Sequence, residues 1–342
     1  MTRHLTLATN SSMSTYRRCP REYKFSYVDG YRSTADAEAL RIGTLIHLAL
    51  ERWWLGESLE SVLDVCAQAA DEYEAAKLRV MLRGYDARWG DERASYAVRK
   101  VEAEFRAPLR NPDSGAASRT FALGGKIDVL LERGIVEHKT TSTEIGLGSV
   151  YWQKLALNSQ VATYYAGARA LGVEPEVCVY DVLRKPAQRP SQVALKDDDG
   201  VKIVLDANGE RVRTKDGKKW RQTADGELGF VLQTRPETAE EYEARLTEEI
   251  AASPEKYYQR GEIVRLEQEE RDYAQDVWAL TQAMREAERT NAWVRNTDSC
   301  QRFGNSMCPF WAVCSGTASL DDVSHYTRVE HVHQELTADA AQ

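Results

Sequence analysis

The stretch Gly124–Ser142, GGKIDVLLERGIVEHKTTS, sets the tightest limits on what this chain can fold into. Aliphatic and β-branched residues fill Ile127–Leu131 and Ile135–Val136 on either side of Arg133-Gly134, which predicts two antiparallel strands joined by a tight turn. Strand side chains alternate, so Glu137 and Lys139 share a face while His138 points to the other. A two-residue turn at Arg133-Gly134 sets Asp128 opposite Lys139 with Glu137 diagonal to it, and one face then carries all three charges. Asp and Lys are depleted in strands, and a solvated hairpin face is the plain explanation of such charges. The alternative is chemical: a carboxylate pair can hold a hard divalent cation while an ammonium orients or polarises a water near a scissile phosphate.

Helical patterns flank this hairpin. One of Ser11, Ser12 or Ser14 is expected to cap a helix over Thr15–Cys19, and Pro20 starts a second toward Tyr27. The spacing of Leu40, Ile42, Leu45, Ile46, Leu48, Ala49 and Trp53 predicts a buried helix over 37–54; the His47 inside it reads on its own as a satisfied core histidine before a ligand. Two more helices are expected over 58–90, with Cys66 in the core, then a strand over 96–109 on which Glu102 and Glu104 share a face. Residues 150–171 read as a helix that restarts at Asn158-Ser159, placing Gln160 and Tyr164 one turn apart on a common face. A strand over 176–183 contains Cys178, again core. Turn signals at Asp-Gly 199, 216 and 225 and Asn-Gly 208 then mark 185–229 as a β-rich insertion. Helices over 237–252 and 266–292 follow, and 317–342 reads as a polar, partly disordered tail in which His325, His331 and His333 receive no role.

Composition narrows the function classes. The 342 residues, 42 % hydrophobic, carry a net charge of −8, so nucleic acid would have to be met by a confined basic strip. Such a strip occurs in the insertion: Arg211, Arg213, Lys215, Lys218, Lys219 and Arg221, with Trp220 offering an aromatic face to an unpaired base. A solvated hairpin tip is the other reading of it. No apolar run spans a membrane and no signal peptide is evident, so a cytoplasmic protein is expected. In a reducing compartment, six cysteines suggest metal ligation before disulfides. Cys300, Cys308 and Cys314, joined by Cys19, form a four-thiolate frame suited to zinc or to an iron–sulfur cluster, and neither gap has the short knuckle spacing usual for zinc. The Gly-Lys sites at 125–126 and 217–218 lack P-loop spacing, so the chain carries no helicase motor motif.

Asp128 followed by Glu137-His138-Lys139 resembles the D…ExK core of the PD-(D/E)xK nuclease superfamily. Gly43–His47 is similar to the GxxxH helix motif of its RecB-like branch, Gln160–Tyr164 to the QxxxY motif, and the four cysteines to the iron–sulfur frame of the subgroup that includes AddB and the CRISPR-associated RecB-like exonucleases. The resemblance implies an α/β, restriction-endonuclease-like domain over 1–316: a mixed central sheet flanked by helices, interrupted by the 185–229 insertion and stapled end to end by a 4Fe-4S cluster, with structural zinc as the alternative. It implies metal-assisted hydrolysis of DNA, as an exonuclease at ends or single strands in recombination, repair or mobile-element processing. Magnesium or manganese would be held by Asp128, Glu137, the His138 carbonyl and His47. Lys139 would orient the water, Gln160 and Tyr164 would position substrate, and a separate helicase or recombination partner would supply the motor. A DNA-end-binding scaffold and a site-specific endonuclease are the rival readings.

Overall fold

The computed structural model describes residues 5–35, 38–302 and 306–336. A short strand, β1 (Thr6–Ala8), leads into helix α1 (Asn10–Arg18). The cap of α1 is Thr9, not one of the serines: its hydroxyl accepts from the Ser12 amide at 3.1 Å while the Ser12 hydroxyl accepts from the Thr9 amide at 3.0 Å. The helix thus starts early enough for Ser12 to complete a reciprocal capping box, and the pair satisfies two otherwise orphaned donors. Helix α2 (Pro20–Tyr23) begins on its proline and continues as a π-helical turn over Lys24–Val28, after which come strand β2 (Tyr31–Ser33) and helix α3 (Glu38–Trp54). Helices α4 (Leu59–Leu63) and α5 (Glu72–Trp89) precede the long antiparallel pair β3 (Val98–Arg110) and β4 (Ala117–Leu131), then β5 (Gly134–Thr141). Helices α6 (Val150–Ala156) and α7 (Ser159–Ala170) divide at the predicted point, Asn158 accepting from the Gln160 amide as N-cap, and β6 (Val177–Arg184) follows.

The segment read as an insertion holds two short strands, β7 (Gln192–Ala194) and β8 (Val204–Leu205), and two more follow it, β9 (Val231–Leu232) and β10 (Thr234–Pro236). They pair only with one another, β7 with β10 and β8 with β9, so this ladder runs past 229 to Pro236. Beyond it lie α8 (Ala239–Ala252), β11 (Tyr258–Ile263), α9 (Glu267–Thr290), α10 (Trp311–Ser315) and β12 (Tyr326–Arg328). Three of these were not expected: the short helix α10 and the strands β11 and β12. Strand β11 extends the main sheet beside β6, and β12 pairs with β2 and buries Tyr326 against Phe310, so 317–336 is part of the fold rather than a loose tail. Residues 337–342 lie outside the described residues.

The main sheet is mixed. Its path is β1-β4-β5-β6-β11, with β3 on the other edge of β4; β1–β4 and β5–β6 are parallel and the remaining pairs antiparallel. Each face buries its own apolar cluster, as a sheet covered on both sides must. One gathers Met13 and Tyr16 of α1, Val161 and Tyr165 of α7, and Val277 and Met284 of α9. The other gathers Ile42, Ile46 and Leu50 of α3, Leu78 and Tyr85 of α5, and Tyr242 and Leu246 of α8. Among the described residues no helix is long and apolar enough to cross a membrane.

One register differs from expectation. Val129 faces Val136 and Leu130 faces Ile135, so the turn residues are Glu132 and Arg133 rather than Arg133 and Gly134. Continued by one residue, this register sets Asp128 against Glu137, with Lys139 the diagonal neighbour. Gly134 belongs to the strand because it runs tight against β6, where a Cβ on it would come within 2.7 Å of the Val177 carbonyl oxygen. A slip of two preserves the face of every side chain, which is why the predicted shared face survives.

Candidate active site

The hairpin β4–β5 opens at its charged end into a cavity of about 760 Å³ lined by His47, Asp128, Glu137, Lys139, Gln160 and Tyr164 among others. Four elements deliver these groups. Helix α3 brings His47, and Gly43 one turn earlier lies so near β5 that a Cβ there would come within 3.3 Å of the Thr140 hydroxyl. Strands β4 and β5 bring the carboxylates and the lysine, and α7 brings the amide and phenol.

Within the cavity the polar atoms form one chain. Lys139 donates to Glu137 Oε1 and, at 2.8 Å, to Gln160 Oε1. The Gln160 amide donates in turn to the same Glu137 oxygen at 2.7 Å and to the Tyr164 hydroxyl at 2.8 Å. On the other side, Asp128 Oδ2 accepts from the His138 backbone amide at 2.7 Å and lies 3.7 Å from His47 Nδ1. Burial works against the charge on Asp128, but the His47 imidazole and the amide beside it prevail and hold its carboxyl well below the usual range. The same pairing raises His47 against the opposing effect of burial. Glu137 moves the other way: burial first, then the Asp128 charge, push it up to about 7.

His138 points away, as the alternation requires, into a buried layer behind the site. Burial pushes its imidazole down to about 4, and Asp181 stands beside it on β6 at 3.6 Å. Asp181 in turn holds Arg260 of β11 at 3.0 Å, and that guanidinium is enclosed by the rings of Trp54, Tyr85, Trp89 and Tyr96. Neither Asp181 nor Arg260 stands out in the sequence; the only signal is an acid and a base inside apolar strands, and β11 itself was missed.

The cavity also contains Glu102, Lys126 and Glu51. Of the two glutamates expected on β3, Glu102 reaches this cavity and pairs with Lys126, whereas Glu104 lines a different cleft beside Leu7 and Arg106.

A model of the PD-(D/E)XK nuclease superfamily matches residues 8–315. The chain belongs to that superfamily. No curated protein matches it. Members of the superfamily are typically metal-dependent nucleases and generally use magnesium or manganese. The donor set suits such an ion: Glu137 Oε2 is buried without a hydrogen-bond partner, Asp128 is held ionised, and hard cations prefer carboxylate oxygens. Among the described residues no three His, Cys, Asp or Glu side chains already converge as ligands of a single ion.

Elsewhere, Cys19, Cys300, Cys308 and Cys314 line one cavity of about 130 Å³, and all six cysteines are free thiols. Burial pushes the Cys308 and Cys314 thiols up, and for Cys314 the neighbouring thiols add to it. Cys66 and Cys178 are buried in the core as expected. The basic strip is partly engaged within itself. Arg211 pairs with Asp197 and Arg221 with Asp225, while Trp220 has the guanidinium of Arg211 at 4.4 Å and that of Arg213 at 4.1 Å from its ring. Lys215, Lys218 and Lys219 are exposed.

Proposed function

We propose that this chain is a magnesium- or manganese-dependent deoxyribonuclease of the RecB-like branch, working as an exonuclease on DNA ends or single strands in recombination, repair or mobile-element processing. The observation that carries the reading is the meeting of Asp128, Glu137, Lys139 and Gln160 in one cavity with His47 beside Asp128. Asp128, Glu137, the His138 carbonyl and His47 would hold the ion, which when bound supplies Lewis-acid activation of phosphate and water. Gln160 fixes the Lys139 ammonium and the Glu137 carboxylate at once, so that Lys139 presents a proton donor at a fixed point beside the scissile phosphate. That preorganisation favours charge developing on phosphate oxygens. Tyr164 anchors Gln160.

The thiol cavity supports a 4Fe-4S cluster over zinc. The four cysteines line one cavity, and neither gap in Cys300-x7-Cys308-x5-Cys314 has the short paired spacing usual for zinc knuckles. Such a cluster would staple the two ends of the chain around the site. The basic strip of 211–221 is a candidate path for single-stranded DNA, now resting on Lys215, Lys218 and Lys219 more than on the paired arginines. With no motor motif of its own, the nuclease would act with a separate helicase or recombination partner in the cytoplasm.

Incubation of the full chain with end-labelled linear and circular DNA, single- and double-stranded, with each metal, tests the reading. Digestion of linear but not circular substrate is expected. Cleavage of closed circles would favour the endonuclease reading, and binding of ends without cleavage the scaffold.

A further inference from the structure

Strand β3 changes faces at one residue. Val101 packs against the core under α3 and α5, but Ala103, two residues on, is buried in the core under α1 and α7. Residues two apart on a regular strand share a face. The residue between them is Glu102, whose φ of 50° is one of two positive values among non-glycine residues described here. Its partner strand does the same at Asp128, since Ile127 lies in the first core and Val129 in the second. No residue is inserted, because Val101 faces Val129 and Ala103 faces Ile127 in one unbroken register. The effect is to bring Glu102 beside Asp128 in the active-site cavity, where its carboxylate takes the ammonium of Lys126. A left-handed side chain of this kind persists only where its surroundings enforce it.

We propose that Lys126 is a second substrate-contacting lysine, which leaves Glu102 for a phosphate of the DNA next to the scissile bond. The proposal rests on the nuclease reading above and specifies how that site grips its substrate. The two lysines have separate partners. Lys139 is bound to Glu137 and Gln160, whereas Lys126 is bound to Glu102 with Glu51 close enough to act on its charge. In phosphoryl transfer the attacking and leaving oxygens lie roughly in line on opposite sides of phosphorus. Lys139 is committed to Glu137 and Gln160, whereas Lys126 lines the same cavity beside Asp128 with a single carboxylate partner that phosphate can replace, so it is assigned to a second phosphate oxygen. Glu102 then serves as a resident anion: it keeps the Lys126 ammonium extended into the cavity and yields when phosphate oxygens take its place.

The test uses the full chain with manganese and a single-stranded oligonucleotide, comparing Lys126→Gln, Lys126→Arg and Glu102→Gln; affinities are measured in a Lys139→Ala background to prevent cleavage. Lys126→Gln is expected to lower kcat at least about tenfold and to reduce the slope of log affinity against log salt by about 0.7, the counterion share of one phosphate on a single strand. Lys126→Arg should keep the slope. Glu102→Gln should tighten binding, because it removes the competing anion. A Lys126→Gln slope equal to the parent's overturns the proposal, as does parallel weakening by Lys126→Gln and Glu102→Gln, which marks a structural tie. If the parent binds DNA without cutting it, the nuclease reading fails while the slope still decides Lys126. A parent that does not bind DNA sinks both.

Discussion

Asp128 and Glu137 come from neighbouring strands into one cavity, yet their carboxyls are driven to opposite ends of the range: the first is held ionised by His47 and a backbone amide, the second is pushed up to about 7 by burial and by the first. A metal site built from such a pair is charged on one side and protonatable on the other.

That asymmetry predicts a pH-dependent response to cation. The folded-state pKa of Glu137 lies above its ordinary value of 4.5, so the neutral form's contribution to stability is complete below about 4.5 and is lost as pH rises through about 7. A divalent ion pairs with the ionised form and offsets that loss. Asp128, displaced downward, stays ionised across the same window. The rise in melting temperature on adding magnesium or manganese should therefore be small at pH 5 and clearly larger at pH 8. Equal shifts at both would show that Glu137 does not bind the ion.

Asp128→Ala and Lys139→Ala should each reduce DNA cleavage by about a hundredfold or more while leaving circular dichroism and DNA binding near the parent's. Undiminished digestion by both variants would remove the catalytic assignment.

Arg260 and Asp181 form a buried ion pair, 9 % and 0 % exposed at the side chain. Removing one partner strands the other, so Arg260→Ala is expected to cost about 3–5 kcal/mol. A second change, Asp181→Ala, should recover part of that in the double variant, a coupling read by denaturant unfolding. Simple additivity of the two losses would contradict the pairing.

Anaerobically purified protein should be brown and contain iron and sulfide. Cys308→Ala should lose both, together with several degrees of thermal stability, since metal binding contributes to folding free energy. Stoichiometric zinc without iron would rule the cluster out.

Replacing Lys215, Lys218 and Lys219 by Gln should weaken single-stranded DNA binding and lower its salt slope by up to about 2, without changing iron content. An unchanged slope would identify the strip as a solvated surface.

Much of the site was legible because its chemistry contradicts its setting. Charges at the end of Ile127–Leu131 and Ile135–Val136 mark the pocket, and the strand period places Asp128, Glu137 and Lys139 together whichever of two registers the hairpin adopts. Gln160 and Tyr164 followed from the helical period in the same way. What could not be read depends on contacts between distant segments. Gly134 resembles a turn residue until β6 runs beside it, and Glu102 looks like any strand glutamate until its backbone turns over. Strand β11 is short, and its burial comes from β6 and the rings around Arg260 rather than from any alternation of its own.

The clasp between chain ends has a consequence for biosynthesis. Arg302 pairs with Glu22 across 280 residues of sequence, and Trp293 covers Tyr23 with its stacked ring. At translation rates of about 5–20 residues per second, α1 and α2 wait roughly 15–55 s for these partners to leave the ribosome. During that interval Tyr23 lacks the Trp293 ring and Glu22 its Arg302 partner, so α1 and α2 reach their final packing only after the far end of the domain has been made.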